Sequence, residues 1–161
     1  MNIILVCRAN ISRSYLAERL LKNELKHRNM APFSVSSAGL IAHSGSPPDP
    51  QMVDFLKGLG ITGDRHQSKQ LERKDADWAD LILVMEKEQA FMIERMWPET
   101  KKKIALLSSF ISKEKPADDI RDPAGASPYH YRLVQSQISL AVQGLVDCLS
   151  KECAKAPNAQ D

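Results

Sequence analysis

The sequence predicts an α/β fold built on an open, mostly parallel sheet. Short apolar runs of strand length alternate along the chain with segments of helical periodicity, the pattern of strand–helix–strand units. Two of these runs, Ile3 to Val6 and Leu81 to Val84, are apolar without interruption, as in strands buried on both faces. Crossovers in such sheets are right-handed, and ligands bind beyond the carboxyl ends of the strands. With 161 residues and 43% apolar content, the chain is long enough for one domain with its own core. That domain is expected over residues 1–153, with a small, polar and frayed tail over 154–161. No internal repeat and no second domain is evident.

The first strand delivers Cys7, and a helix is expected from about Ser12 onward. Its apolar residues Leu16, Ala17, Leu20, Leu21 and Leu25 fall on one face at helical spacing. A second strand is read over Phe33 to Ser37, ending at Ala38-Gly39, before a turn-rich stretch from His43 to Pro48. Asp49-Pro50 has the form of a helix start, with aspartate as N-cap and proline at the first helical position. That helix should stop near Gly58 and Gly60. Ala79 to Met85 holds the third strand, Glu86 to Met96 reads as a helix, and Ile104 to Leu107 is the fourth strand. Leu133, Val134, Ile138, Ala141, Val142, Leu145 and Leu149 mark a long amphipathic C-terminal helix.

A formal net charge of +2 carries no polybasic signature for nucleic acid or a membrane surface. The apolar stretch ahead of Cys7 and Arg8 is too short for a secretory signal, and no segment has transmembrane length. The three cysteines, Cys7, Cys148 and Cys153, do not form a disulfide framework, so a reducing, cytoplasmic location is expected. The four histidines show no spacing suited to a metal site, and the cysteines do not complete one.

Chemistry concentrates in residues 7–14, Cys-Arg-Ala-Asn-Ile-Ser-Arg-Ser. Cys7 stands where a strand stops and a helix starts, facing that helix's unpaired N–H groups. Such a junction favours an anion, because N–H groups and the positive end of the helix dipole converge on it. The same field holds a sulfur nucleophile, as at other helix N-termini. Arg13 offers a planar fork that binds two oxygens of a phosphate at once, which lysine does not reproduce. The intervening residues Arg8, Ala9, Asn10, Ile11 and Ser12 let the loop curl its amides around the oxyanion. Asn10 tolerates the left-handed backbone geometry that a tight loop needs. Ser14 donates a hydrogen bond to the sulfur. Nucleophilic attack on phosphorus also needs a proton donor for the leaving oxygen, then a base for water. On sequence alone Asp118, Asp119 and Asp122 are all available, although Pro123 restrains Asp122 toward an extended backbone.

Val6-Cys7-x-small-Asn10-Ile11-x-Arg13-Ser14 resembles the active-site loop of the low-molecular-weight protein-tyrosine phosphatases. The likeness extends over nearly the whole chain, through Ser37-Ala38-Gly39, Asp49-Pro50, His66-x-Ser68-Lys69-Gln70-Leu71, Ala79-Asp80-Leu81-Ile82-Leu83 and Asp122-Pro123 in the expected order. The resemblance implies a three-layer α/β/α fold of the phosphotyrosine phosphatase I type, with a four-stranded parallel sheet. It implies hydrolysis of phosphotyrosine or other aryl phosphate monoesters through a cysteinyl-phosphate, without metal or organic cofactor. Asp122 matches the general acid, and His66 matches a position that braces the loop through Asn10 and Ser14. The implied partner is a phosphotyrosine protein or a small phosphomonoester, with neither nucleic acid nor membrane involved and the oligomeric state left open. Glu86, after the third strand, stands where a carboxylate can orient water or loop residues, although a solvated glutamate at a helix N-terminus is the favoured reading.

The chain departs from the family's usual pattern in places. Ala9 stands where glycine is usual, and Tyr15 where proline is common. Ser12 replaces a second loop cysteine often found there, which removes the adjacent partner for a protective disulfide on Cys7. Ala124-Gly125 replaces the paired tyrosines of the eukaryotic members, so the resemblance is to a bacterial-type member whose cleft lacks an aromatic wall on that side. Arg8 and His43 are then candidates to line its mouth, where Arg8 either suits acidic or phosphate-flanked substrates or is simply an exposed charge. Alternatives compatible with the same loop are a thioredoxin-coupled arsenate reductase, a small-molecule phosphatase, or a non-catalytic phosphate-binding module. Arsenate reduction needs further thiols near the third strand, where this chain has Met85.

Overall fold

The computed structural model describes residues 1–62 and 65–155, with residues 152–155 as backbone only. Four strands, β1 (Asn2–Cys7), β2 (Ser34–Gly39), β3 (Leu81–Val84) and β4 (Ile104–Leu106), form one sheet in the order β2-β1-β3-β4. Every pairing is parallel, with Ile4 opposite Ser36 on one side and Ile82 on the other. The helices are α1 (Arg13–His27), α2 (Pro50–Gly58), α3 (Arg73–Trp78), α4 (Lys87–Met96) and α5 (Pro128–Lys155).

Strand alternation divides the core into two layers. Ile3, Leu5 and Cys7 of β1 face α1, α2 and α5, whereas Ile4 and Val6 face the side that includes Ala76 of α3 and Ile93 of α4. The outcome is a three-layer α/β/α molecule with the sequence-predicted parallel sheet. The chain leaves β1 toward β2 in one direction and returns to β3 on β1's other side. That reversal opens a crevice at the carboxyl end of β1, where Cys7 lies.

The helix boundaries follow local chemistry. Asp49 caps α2, accepting from the Gln51 N–H at 2.9 Å with Pro50 at the first position, as the sequence suggested. Glu86 and Gln89 form a capping box at the start of α4. On α1, Leu16, Ala17, Leu20, Leu21 and Leu25 are buried as expected, together with the unanticipated polar residues Arg13, Ser14 and Glu18. On α5, Leu133 is exposed and lies off the core face, and Val146 is buried in its place. Gly144 lets α5 press against the 3₁₀ turn Leu107–Phe110: a Cβ there would stand 1.9 Å from the Phe110 carbonyl oxygen.

Several boundaries differ from expectation. The second strand starts at Ser34 rather than Phe33 and runs through Gly39. Short helix α3 and the 3₁₀ segment Pro98–Lys103 were not anticipated, being too brief to show helical periodicity. Helix α5 continues through Lys155, so Ala154 and Lys155 belong to it, and the rest of the expected tail lies outside the described residues. No helix among the described residues is long and apolar enough to cross a membrane.

Candidate active site

Strand β1 ends at Cys7, and α1 begins at Arg13 with Ser12 as N-cap. Around this loop most of the carbonyls are tied down by donors outside it. The Cys7 oxygen accepts from Leu40 N–H at 2.9 Å, that of Arg8 from Ile41 at 2.8 Å, and that of Ile11 from Asp49 at 2.7 Å. The Ser12 oxygen accepts from Leu16 inside α1. No backbone N–H of residues 8–12 donates to a carbonyl of the described residues outside regular helix and strand pairing. A loop with its carbonyls anchored outside presents amides on its inner side, the arrangement that cradles an oxyanion.

Asn10 is the turning point. Its φ of 59° is the left-handed conformation that asparagine tolerates. Fully buried, it spends its amide completely. Nδ2 donates to Ser14 Oγ and to Ser37 Oγ, each at 2.9 Å, and Oδ1 accepts from the Lys69 N–H at 3.0 Å. The Asn10 carbonyl is an acceptor only, so His66 Nε2, 2.7 Å away, carries the proton and donates to it. His66 thus braces Asn10 directly and reaches Ser14 only through the Asn10 amide. Burial pushes the His66 pKa down, partly opposed by its bond to the Asn10 carbonyl. Its ring packs at 4.6 Å from that of Tyr15, whose own hydroxyl pKa burial pushes up.

These bonds give the network a direction. Glu18, buried on α1, accepts from Ser37 Oγ at 2.5 Å and from Lys22 Nζ at 2.6 Å. With its proton committed to Glu18, the Ser37 hydroxyl must accept from Asn10. The other Asn10 amide proton occupies Ser14 Oγ, which leaves the Ser14 proton to point at Cys7 Sγ, 3.0 Å away. Sequence reading missed Glu18, yet a carboxylate four residues after Ser14 on the apolar stripe of α1 demands a buried partner.

Arg13 is 1% exposed and points across the carboxyl edge of the sheet. Nη1 donates to Glu86 Oε1 and to the Ile120 carbonyl at 2.8 Å; Nη2 donates to Asp122 Oδ2 at 3.0 Å. Nε has no partner among the described residues, nor has the buried hydroxyl of Ser12. Glu86 is therefore not the solvated glutamate expected from sequence. The signal was its place, one residue beyond Met85 at the end of β3, beside the strand that ends at Cys7. Asp122 lies in the irregular stretch before α5, and its Oδ1 accepts from Ala124 N–H at 3.1 Å. Arg8 and His43 are both exposed, and Ile11 is half-buried.

A family model described as low molecular weight phosphotyrosine protein phosphatase matches residues 2–155. The chain belongs to this family. It is 33% identical over 150 residues to a protein-arginine-phosphatase of Geobacillus stearothermophilus, covering 93% of this chain and 97% of that one. A probable low molecular weight protein-tyrosine-phosphatase of Erwinia amylovora, AmsI, is also 33% identical over 150 residues, covering 93% and 98%. The solved Geobacillus arginine phosphatase superposes with a TM-score of 0.88 at 31% identity, over 99% of each chain. A mutant arginine phosphatase carrying a phosphorylated active-site serine superposes at 0.84 with 25% identity, over 99% of this chain and 100% of the other.

As a phosphatase of this family the protein is a hydrolase, and its fold places the predicted loop residues together. Arg13 and Asp122 pair at the carboxyl edge of the sheet where Cys7 ends β1, and Cys7 is linked through Ser14 to Asn10 and His66. Gly39 of β2 makes this packing possible. A Cβ on it would lie 2.8–2.9 Å from backbone atoms of Arg8, Ala9 and Asn10. Among the described residues no cluster of three or more histidine, cysteine, aspartate or glutamate side chains is arranged to hold a metal.

Proposed function

We propose that this phosphatase hydrolyses phosphotyrosine in proteins through a cysteinyl-phosphate on Cys7. The observation that carries the reading is the directed network that brings the Ser14 hydroxyl to Cys7 Sγ within a loop where the carbonyls of Cys7, Arg8, Asn10 and Ile11 are tied to donors outside it. The substrate's phosphoryl oxygens take the loop amides and the Arg13 fork. Cys7 attacks phosphorus as the thiolate, the P–O bond breaks, and Asp122 gives its proton to the departing phenolate. Asp122 then takes a proton from water, which attacks the thiophosphate; the P–S bond breaks and the thiolate is restored with inorganic phosphate released. Catalysis here is positioning plus charge stabilisation. Ser14 stabilises the sulfur anion in both steps, and His66 holds Asn10 in the geometry that aims Ser14.

The phosphorylated serine in the mutant arginine phosphatase supports covalent capture in this fold. The Geobacillus relatives, named for phosphoarginine, favour a second reading in which that residue is the substrate. The loop's half-buried Ile11 argues for tyrosine, because an apolar neighbour suits an aromatic ring, whereas guanidinium N–H groups lose water beside it. A cytoplasmic location fits a nucleophilic thiol that must stay reduced.

Purified protein assayed on p-nitrophenyl phosphate and on matched phosphotyrosine and phosphoarginine peptides is expected to prefer the tyrosine peptide. Cys7→Ser should abolish turnover, and Asp122→Ala should slow it by about 10²–10⁴-fold on poor leaving groups, with less effect on activated ones. Equal rates for Asp122→Ala and wild type on phenyl phosphate would remove Asp122 as the acid. A protein that binds phosphate yet hydrolyses none of these substrates is a binding module, not this enzyme.

A further inference from the structure

The stretch carrying Asp122 runs across the first turns of α5, and between them lies a cavity of about 310 Å³. Its lining includes Asp119, Arg121, Asp122, Pro123, His130 and Leu133. The two carboxylates are already engaged. Asp119 accepts from the Lys87 N–H at 2.9 Å, and Asp122 is held by Arg13 and by Ala124 N–H. His130 spends Nδ1 on Ser127 Oγ at 2.9 Å, which leaves Nε2 without a partner among the described residues. Arg121 is exposed and makes no ion pair or side-chain hydrogen bond with the described residues. The cavity therefore combines an uncommitted guanidinium and an imidazole edge with the apolar walls of Pro123 and exposed Leu133.

We propose that this cavity is a substrate subsite for an acidic side chain flanking the phosphorylated residue, with Arg121 as the group that reads it. The inference rests on the phosphotyrosine-protein reading above. Asp122 must reach the leaving oxygen of the bound residue, and Asp122 is also a wall of the cavity. Successive Cα atoms of an extended peptide are about 3.8 Å apart, so a neighbour of the phosphorylated residue is within reach of a cavity that Asp122 itself lines. A carboxylate there has the Arg121 guanidinium and the His130 imidazole on its walls, while the two carboxylates that share the lining are held, Asp119 by the Lys87 N–H and Asp122 by Arg13. Arg8, exposed on the nucleophile's loop, adds a second cation at the mouth and strengthens the steering of acidic segments.

The test uses pairs of phosphotyrosine peptides that differ only by glutamate or glutamine at the positions adjoining the phosphotyrosine, assayed for kcat/KM at low ionic strength. Wild type should favour glutamate at one of these positions by roughly two- to fivefold, the range of a solvent-accessible ion pair, and salt should erode the preference. Arg121→Gln should abolish the preference and Arg121→Glu reverse it, while both variants hydrolyse p-nitrophenyl phosphate at the wild-type rate. Wild type cleaving both peptides of every pair equally overturns the subsite and leaves the phosphatase reading intact. A preference that survives Arg121→Glu but disappears in Arg8→Gln places the reader on the loop and also overturns it. Hydrolysis of p-nitrophenyl phosphate but of no peptide overturns the phosphotyrosine-protein reading, and the subsite with it.

Discussion

The proposed reaction asks Arg13 to do two jobs with one side chain. Its guanidinium is buried and must be neutralised, and Glu86, Asp122 and the Ile120 carbonyl do so from two different segments. In the proposed reaction the same fork also grips a phosphate, and Nε has no partner among the described residues. Arg13→Lys keeps the charge but replaces a five-donor fork by a point charge, so it is expected to cut kcat/KM on aryl phosphates by about 10²–10³-fold. Glu86→Ala leaves Arg13 one carboxylate short in a mostly buried setting. It should lower stability by about 1–3 kcal/mol, read from the midpoint of urea unfolding. An unchanged midpoint would mean that Asp122 and the Ile120 carbonyl suffice to hold Arg13. Position, not residue type, pairs Glu86 with Arg13. A glutamate opening a helix is commonplace in a sequence, and only the β1–β3 pairing brings it to Arg13.

At the level of elements, the site is a contact between the β1–α1 loop and the end of β2. Gly39 closes that contact, with three backbone atoms of the loop 2.8–2.9 Å from where a side chain would begin. Gly39→Ala must push the loop outward, and backbone cannot yield as a flexible side chain does. The expected result is a destabilisation of about 1–3 kcal/mol, together with weaker inhibition by inorganic phosphate, because the amides no longer converge. Wild-type phosphate affinity in this variant would show that the loop tolerates displacement. The strands, α1 and the cap of α2 were legible because each rests on local chemistry: an apolar run, a periodic stripe, an Asp-Pro start. Asn10 was legible too, since its tolerance of positive φ is intrinsic to the residue. The functions of Glu18, Ser37 and Glu86 were not legible from spacing, because each acts on a partner 19 to 73 positions away. Short α3 and the misassigned Leu133 mark the same limit, where tertiary packing decides and periodicity is weak.

Across the whole molecule, the polar network threads through a core that is otherwise apolar, joining β1, α1, β2 and the 66–69 segment. His66 is the titratable centre of that junction, packed on Tyr15 and influenced by the charges of Glu18, Arg19 and Lys22. Its pKa is depressed in the folded protein, chiefly by burial, so the native state disfavours the proton that the unfolded chain accepts near pH 6.5. The unfolded state therefore binds more protons in the window below pH 6.5, and stability falls as the pH falls through it. The contribution is fully present above about pH 6.5, the ordinary histidine value. Protonation leaves the Nε2 donor in place, so the loss comes from burying a charge and not from releasing Asn10. Thermal unfolding of wild type and His66→Gln at pH 7.5 and pH 5.5 separates this effect from that of the carboxylates, which both proteins share. Glutamine retains a donor for the Asn10 carbonyl but cannot charge. Wild type should lose more melting temperature between the two pH values than His66→Gln does. Equal losses would place the acid sensitivity of the fold elsewhere than in the junction behind the active-site loop.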